Sequence, residues 1–84
     1  MAERFSVRTT PRFDRLAKAL RRKNKEFTAR YREAIAILAD DPYNRSRAYQ
    51  IRKLVNVGPR QGQWRLRWGR WRFRYDIDGS EVVL

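Results

Sequence analysis

Residues 64–75 read Trp-Arg-Leu-Arg-Trp-Gly-Arg-Trp-Arg-Phe-Arg-Tyr, and no other run constrains the fold as tightly. Basic residues alternate with large apolar ones on both sides of Gly69. A period of two belongs to a strand, whose successive side chains point to opposite faces. Bent near Gly69, the run becomes a two-faced hairpin. One face carries Trp64, Leu66, Trp68, Trp71, Phe73 and Tyr75; the other carries Arg65, Arg67, Arg72 and Arg74. The apolar face needs a cover. The opposite face is a compact array of guanidinium groups, which suits phosphate and points first to a nucleic-acid ligand.

The cover is legible upstream. Thr10 followed by Pro11 reads as a helix N-cap with proline at the first helical position. Phe13, Leu16, Ala17 and Leu20 then recur at helical spacing and predict one apolar stripe. The polar stretch Arg22-Lys23-Asn24-Lys25 ends that stripe, and Phe27, Tyr31, Ala34, Ile35 and Leu38 predict a second. This second helix should stop near Asp40-Asp41, because Pro42 disfavours helical geometry at the residue before it. Two helices with a short polar link make an αα-hairpin.

The remaining segments read as strands and turns. Arg4 to Arg8 alternates as a short strand, residues 42–50 form a loop, and Ile51 to Val57 is expected to be a strand. Gly58-Pro59-Arg60-Gln61-Gly62 is a turn or loop, and Asp78-Gly79 is a hairpin signal. Pairing across Asp78-Gly79 sets Tyr75 opposite Val82 and Phe73 opposite Leu84. The expected fold is α+β: one small domain over residues 1–84, ordered β-α-α-β-β-β-β. A mostly antiparallel sheet would bury its aromatic face under the αα-hairpin. The chain ends at the strand-like Val82-Val83-Leu84, and the expectation is that a C-terminal segment is lacking.

Composition narrows the chemistry. The 84 residues include 21 Lys and Arg against 9 Asp and Glu, a formal charge of +12 that an anionic partner would relieve. RNA, DNA or an acidic protein would serve. There is no cysteine, hence no disulfide framework or thiol nucleophile, which fits a cytoplasmic protein. There is no histidine, so the usual acid–base group near neutrality and the commonest metal ligand are both missing. No carboxylate cluster suggests a metal site, no glycine-rich phosphate loop occurs, and no cofactor is expected. No apolar run is long enough to cross a bilayer, the N-terminus lacks a signal-peptide core, and no membrane role is expected.

Each group has an ordinary role beside the functional one. The aromatics Trp64, Trp71, Phe73 and Tyr75 share a face with Leu66, Ile77, Val82 and Leu84, and read as core rather than base-stacking residues. Tyr43 and Tyr49, in the loop, are freer to contact a ligand. An outer sheet face is ordinarily solvated and of mixed sign. Here it is nearly all arginine, with Asp76 and Glu81 near its edge, and that excess favours an anion site. Asp40-Asp41 and Asp76/Asp78 read as a helix end and a turn. The chemistry left open is metal-free phosphodiester transfer, in which RNA supplies its own 2′-OH. Such a site needs alignment, positive charge on the phosphorane and a proton donor for the leaving oxygen. Arginines serve the first two needs; a tyrosine, a lysine or a group outside the chain would serve the third.

The element order, the Arg52-Lys53-Leu54 strand and the run Trp64 to Tyr75 together resemble the RelE/ParE toxin superfamily, and its RelE branch most closely. Members of that branch commonly carry Tyr-Arg-Leu-Arg-x-Gly-x-Tyr-Arg-x-x-Tyr ahead of the last hairpin. The resemblance spans essentially the whole chain, and residues 63–75 are its most specific part. It implies the toxin of a type II toxin–antitoxin pair: a metal-independent, ribosome-dependent endoribonuclease (mRNA interferase) that cuts mRNA in the ribosomal A site and inhibits translation. The implied partners are mRNA, the ribosome and a cognate antitoxin protein. Arg65 and Arg67 match the family's basic pair and Arg72 the arginine after the turn, with implied roles in holding the scissile phosphate and stabilising charge. Arg52, Lys53, Arg60, Arg70 and Arg74 complete the expected RNA- and phosphate-binding set. Arginine at position 65 is a poor general base because its pKa is too high. Family members continue past the strand matching Val82–Leu84, often with another basic residue and a tyrosine or histidine. Two other readings stand beside this one. The first is a non-catalytic RNA- or ribosome-binding domain that uses the same arginines. The second is a gyrase inhibitor of the ParE branch, which the short helices and the Arg65/Arg67/Arg72 pattern make the weaker match.

Overall fold

Thr10 starts the helical hairpin as its side chain suggests: its Oγ1 accepts from the Phe13 amide at 3.2 Å, with Pro11 opening the helix. In the computed structural model, which describes residues 5–84, α1 spans Pro11–Lys23 and α2 spans Lys25–Asp40. The link between them is a single residue. Asn24 donates its amide to the Leu20 carbonyl, closing α1, and its Oδ1 accepts from the Glu26 amide, opening α2. At the far end, α2 stops at Asp41, whose backbone (φ −147°, ψ 63°) has left the helical region, and Pro42 follows.

Five strands form one sheet: β1 (Ser6–Arg8), β2 (Gln50–Lys53), β3 (Trp64–Trp68), β4 (Trp71–Asp78) and β5 (Glu81–Val83). Their spatial order is β1-β5-β4-β3-β2. All pairs are antiparallel except β1 with β5. The element order and the α+β class are those expected from the sequence. Arg4, the expected start of β1, lies outside the described residues.

The apolar face of the ribbon is core. Leu66, Phe73, Tyr75, Val82 and Leu84 are buried against Phe27, Ala34, Ile37 and Leu38 of α2. Phe27 stacks on Phe73 and meets Trp71 edge-on, and Tyr31 stacks on Phe27 and Phe73 and meets Phe13 at a tilt. The Tyr75 hydroxyl donates to the Pro42 carbonyl at 2.8 Å, so the one polar atom of the deepest ring is satisfied.

Three expectations fail in detail. β2 ends at Lys53 rather than Val57, because Asn56 turns the chain with φ of 61°. The last hairpin is shifted by two residues: Ile77 pairs with Val82 and Asp76 with Val83. The turn is Gly79-Ser80, with Gly79 at φ of 60° in the first central position, the place a type II′ turn reserves for glycine. Finally, the α1 stripe is only partly covered. Ala17 is buried, but Leu16 is 58% exposed and Leu20 37% exposed. α1 packs on α2, and Leu16 borders a surface groove together with Phe13, Val83 and Leu84.

Candidate nucleic-acid interface

The face of the sheet away from the helices is built by strand register. Arg52 stands opposite Arg65, and Arg65 opposite Arg74, giving one row of three guanidinium groups across β2, β3 and β4. The next row is Gln50, Arg67 and Arg72. Rows two residues apart along a strand are about 7 Å apart. Like charges directly opposite each other are destabilising, so this arrangement costs the fold stability. Among the described residues the ion pairs are Arg8–Glu81, Arg30–Glu26 and Arg30–Glu33, and none of them neutralises this array.

The expected site residues divide into three groups. Arg52, Arg65, Arg67 and Arg72 share the open face, with no hydrogen bond from their side chains to any described residue. Arg74 shares the face but is committed to the loop before β3. Its guanidinium donates to the Gln61 carbonyl at 2.9 Å and to the Gly62 carbonyl at 3.0 and 3.2 Å. Arg60, Arg70 and Lys53 lie elsewhere. Arg60 is in that same loop, in left-handed backbone (φ 64°) after Pro59, a position of a type II turn that favours glycine. Arg70 is in the β3–β4 turn with its guanidinium over the Trp71 ring. Lys53 is on the opposite, aromatic face, with its ammonium over the Trp64 ring. The strict alternation along β2 separates it from Arg52, so it does not join the array.

Sequence reasoning also missed the role of Asp76. It is not a turn residue. Its two carboxylate oxygens accept from the Gly62 and Gln63 amides at 3.0 Å each. Arg74 and Asp76, two positions apart on β4, thus hold the loop from both its carbonyl and its amide side. The signal was available in the pairing of an acid with a glycine-rich loop, but only the register of β3 on β4 brings them together.

None of the tyrosines reaches the arginine face. Tyr31, on α2, packs among Phe13, Phe27 and Phe73, Tyr75 is buried in the core, and burial pushes both hydroxyl pKa values up. Of Tyr43 and Tyr49, expected to be freer to contact a ligand, Tyr43 is exposed while its ring packs edge-on against Phe5 and Trp64, and Tyr49 is half-buried against Trp68. Asn44 fixes the Tyr49 backbone through both its amide group and its carbonyl oxygen. Asp41 organises the same loop. Burial alone would raise its pKa. Hydrogen bonds from the Ser46 hydroxyl and the Ser46 and Arg45 amides outweigh that and, with the Arg45 charge, hold it below the usual carboxylate range.

The surface can therefore bind and stabilise negative charge, but between Arg67 and Arg72 it has no side chain that titrates near neutrality. Among the described residues no three His, Cys, Asp or Glu side chains gather as a metal site, and no helix is long and apolar enough to cross a membrane. Comparison of the chain with protein-family models, curated proteins and solved structures returned no match.

Proposed function

We propose that this chain acts on RNA through the arginine face, as a ribosome-dependent mRNA endonuclease of RelE type. One observation carries the reading. Arg52, Arg65, Arg67 and Arg72 are held side by side on rigid strands without a counter-charge. A fold that tolerates such repulsion is prepared for a polyanion. The resemblance of residues 63–75 to the RelE segment names the substrate, mRNA in the A site, and an antitoxin as the natural restraint.

The chemistry follows from what the face supplies. A ribose 2′-oxygen attacks the adjacent phosphorus, the P–O5′ bond breaks, and the charge on the pentavalent phosphorane rises in the transition state. Arg65, Arg67 and Arg72 hold the phosphate and stabilise that charge. The proton leaving the 2′-oxygen and the proton reaching O5′ pass through groups that are not on this face: water or ribosomal RNA. Ribosome dependence is then a chemical requirement as well as a means of presentation.

That same lack of a proton-transfer side chain favours a second reading, in which the face binds RNA or the ribosome without cleaving. Primer extension on a reporter mRNA in a purified translation system separates the two. New stops inside A-site codons, dependent on ribosomes and lost in Arg65→Ala, Arg67→Ala and Arg72→Ala, support the endonuclease. Ribosome co-sedimentation without cleavage supports the binder. Neither cleavage nor co-sedimentation overturns both and leaves the gyrase-directed branch to be tested.

A further inference from the structure

Gln50 and Arg67 are the last cross-strand pair of β2 and β3 on the side of the β3–β4 turn. Beyond them the ladder stops. A notch of about 390 Å³ opens there, between Ala48 and Tyr49 on one side and Trp68 and Gly69 on the other. Small-ligand sites occupy roughly 300–1,000 Å³, so the notch is large enough for a small flat group.

Two kinds of side chain meet in it. Gln50 and Arg67 belong to the outer, arginine-bearing face, and Tyr49 and Trp68 to the opposite one, as alternation along each strand requires. Both rings are held in place by the protein itself. The Trp68 indole Nε1 donates to Glu33 Oε1 at 3.2 Å. The Arg30 guanidinium, paired with Glu26 and Glu33, lies 6.0 Å from the Trp68 ring centroid. Tyr49 meets Trp68 edge-on with 6.3 Å between centroids, and Asn44 bonds the Tyr49 backbone at 2.8 and 3.1 Å. An aromatic wall fixed in this way receives a flat ligand with little further ordering.

The row of side chains leading to the notch reads Arg72, Arg67, Gln50. The neighbouring row, Arg74, Arg65, Arg52, is charged at every position. At the notch a neutral carboxamide stands where the other row has an arginine. Gln50 is one strand spacing, about 4.8 Å, beyond Arg67. A single nucleotide spans that step from its phosphate to its base.

We propose that the notch takes one unstacked adenine base of an RNA whose phosphate lies on Arg67 and Arg72. The base packs against the Tyr49 and Trp68 rings, as splayed bases do on aromatic side chains. The exposed Gln50 carboxamide reads its edge: the oxygen accepts from the N6 amine, and the nitrogen donates to N7. Guanine presents two acceptors along that edge, O6 and N7, and would leave the carboxamide oxygen facing one of them. Because the base follows the phosphate, its placement rests on the RNA reading of the arginine face.

The test is fluorescence anisotropy of the full chain with short labelled single-stranded RNAs. One is all uridine. The others carry a single internal adenosine, guanosine or purine riboside, the last of which stacks like adenosine but lacks the N6 amine. Adenosine RNA is expected to bind roughly tenfold more tightly than uridine or guanosine RNA, with purine riboside RNA in between. In Gln50→Leu, at an exposed position and with circular dichroism unchanged, the advantage of adenosine over purine riboside should vanish. Adenosine RNA should also shift the NMR signal of the Trp68 indole N–H. No measurable binding of any RNA would overturn the RNA reading of the face, and the base site with it. Equal binding of all four would leave the face as an RNA surface and overturn the base site alone. So would guanosine RNA bound as tightly as adenosine RNA, an adenosine advantage that survives in Gln50→Leu, or an unmoved Trp68 signal.

Discussion

Replacing Arg72 by threonine should make the protein more stable, while the same change at Arg74 should make it less stable. Both arginines are on β4, both face outward, and both stand opposite another arginine: Arg72 faces Arg67, and Arg74 faces Arg65. These are non-hydrogen-bonded pairs, the geometry in which side chains come closest. Repulsion of this kind costs about 0.5 kcal/mol per pair, and threonine suits a strand at least as well. With about 4–8 °C of melting temperature per kcal/mol in a domain this size, Arg72→Thr should raise Tm by roughly 2–4 °C. Arg74→Thr gains the same relief but loses the bonds to the Gln61 and Gly62 carbonyls. At about 1 kcal/mol each on an exposed surface, those losses exceed the gain and leave a net cost of about 1–2 kcal/mol. Thermal melts at low salt measure both. Added salt should shrink the Arg72→Thr gain, because the wild-type repulsion is screened. If Arg72→Thr lowers Tm at low salt, or Arg74→Thr raises it, the division into a free array and a loop clamp is wrong.

Other consequences concern the scaffold. The Tyr75 pKa is raised by burial, with Asp41 adding to it, so folding favours the protonated phenol. Stability is then unaffected below about pH 10 and falls as pH rises above it, where the unfolded tyrosine ionises and the folded one does not. With Tyr43 and Tyr49 replaced by phenylalanine, tyrosinate absorbance should appear together with loss of near-UV circular dichroism, and ionisation without unfolding would count against the packing described. The Asp41 pKa is lowered, so its contribution is complete above about pH 4 and is lost as pH falls below that value. Asp41→Asn should flatten the acid limb of the stability profile, and an unchanged limb would remove Asp41 as the organiser of the loop. Asn24→Ala should cost about 1 kcal/mol by chemical denaturation, because it removes the cap of α2 at the one-residue link; a cost near zero would show that the cap does not hold the hairpin.

Local chemistry made much of this fold legible. Thr10-Pro11, the helical stripes and the two-residue period of 64–75 each act over a few residues, and each formed as expected. What went astray depended on partners distant in sequence. Asp78-Gly79 and Gly79-Ser80 are both acceptable hairpin turns, and the choice between them rests on whether Val82 pairs with Tyr75 or Ile77. Leu16 and Leu20 belong to a regular stripe, yet both stay exposed, because burial depends on what the tertiary fold sets against that face. For the candidate site, alternation alone placed Arg65, Arg67, Arg72 and Arg74 on one face. It could not show that Arg74 is bonded to a loop. Lys53, adjacent in sequence to Arg52, was grouped with it by charge, although strand geometry sends the two to opposite faces.

The central claim is that four uncompensated arginines, Arg52, Arg65, Arg67 and Arg72, form one phosphate-binding surface. The most direct test is the salt dependence of binding to a short single-stranded RNA, for the wild type and for Arg65→Ala, Arg67→Ala and Arg72→Ala. Four phosphate contacts predict a log–log slope of roughly −3, and each substitution should make it shallower by about 0.7. A slope near zero, or one that the substitutions leave unchanged, would contradict the claim.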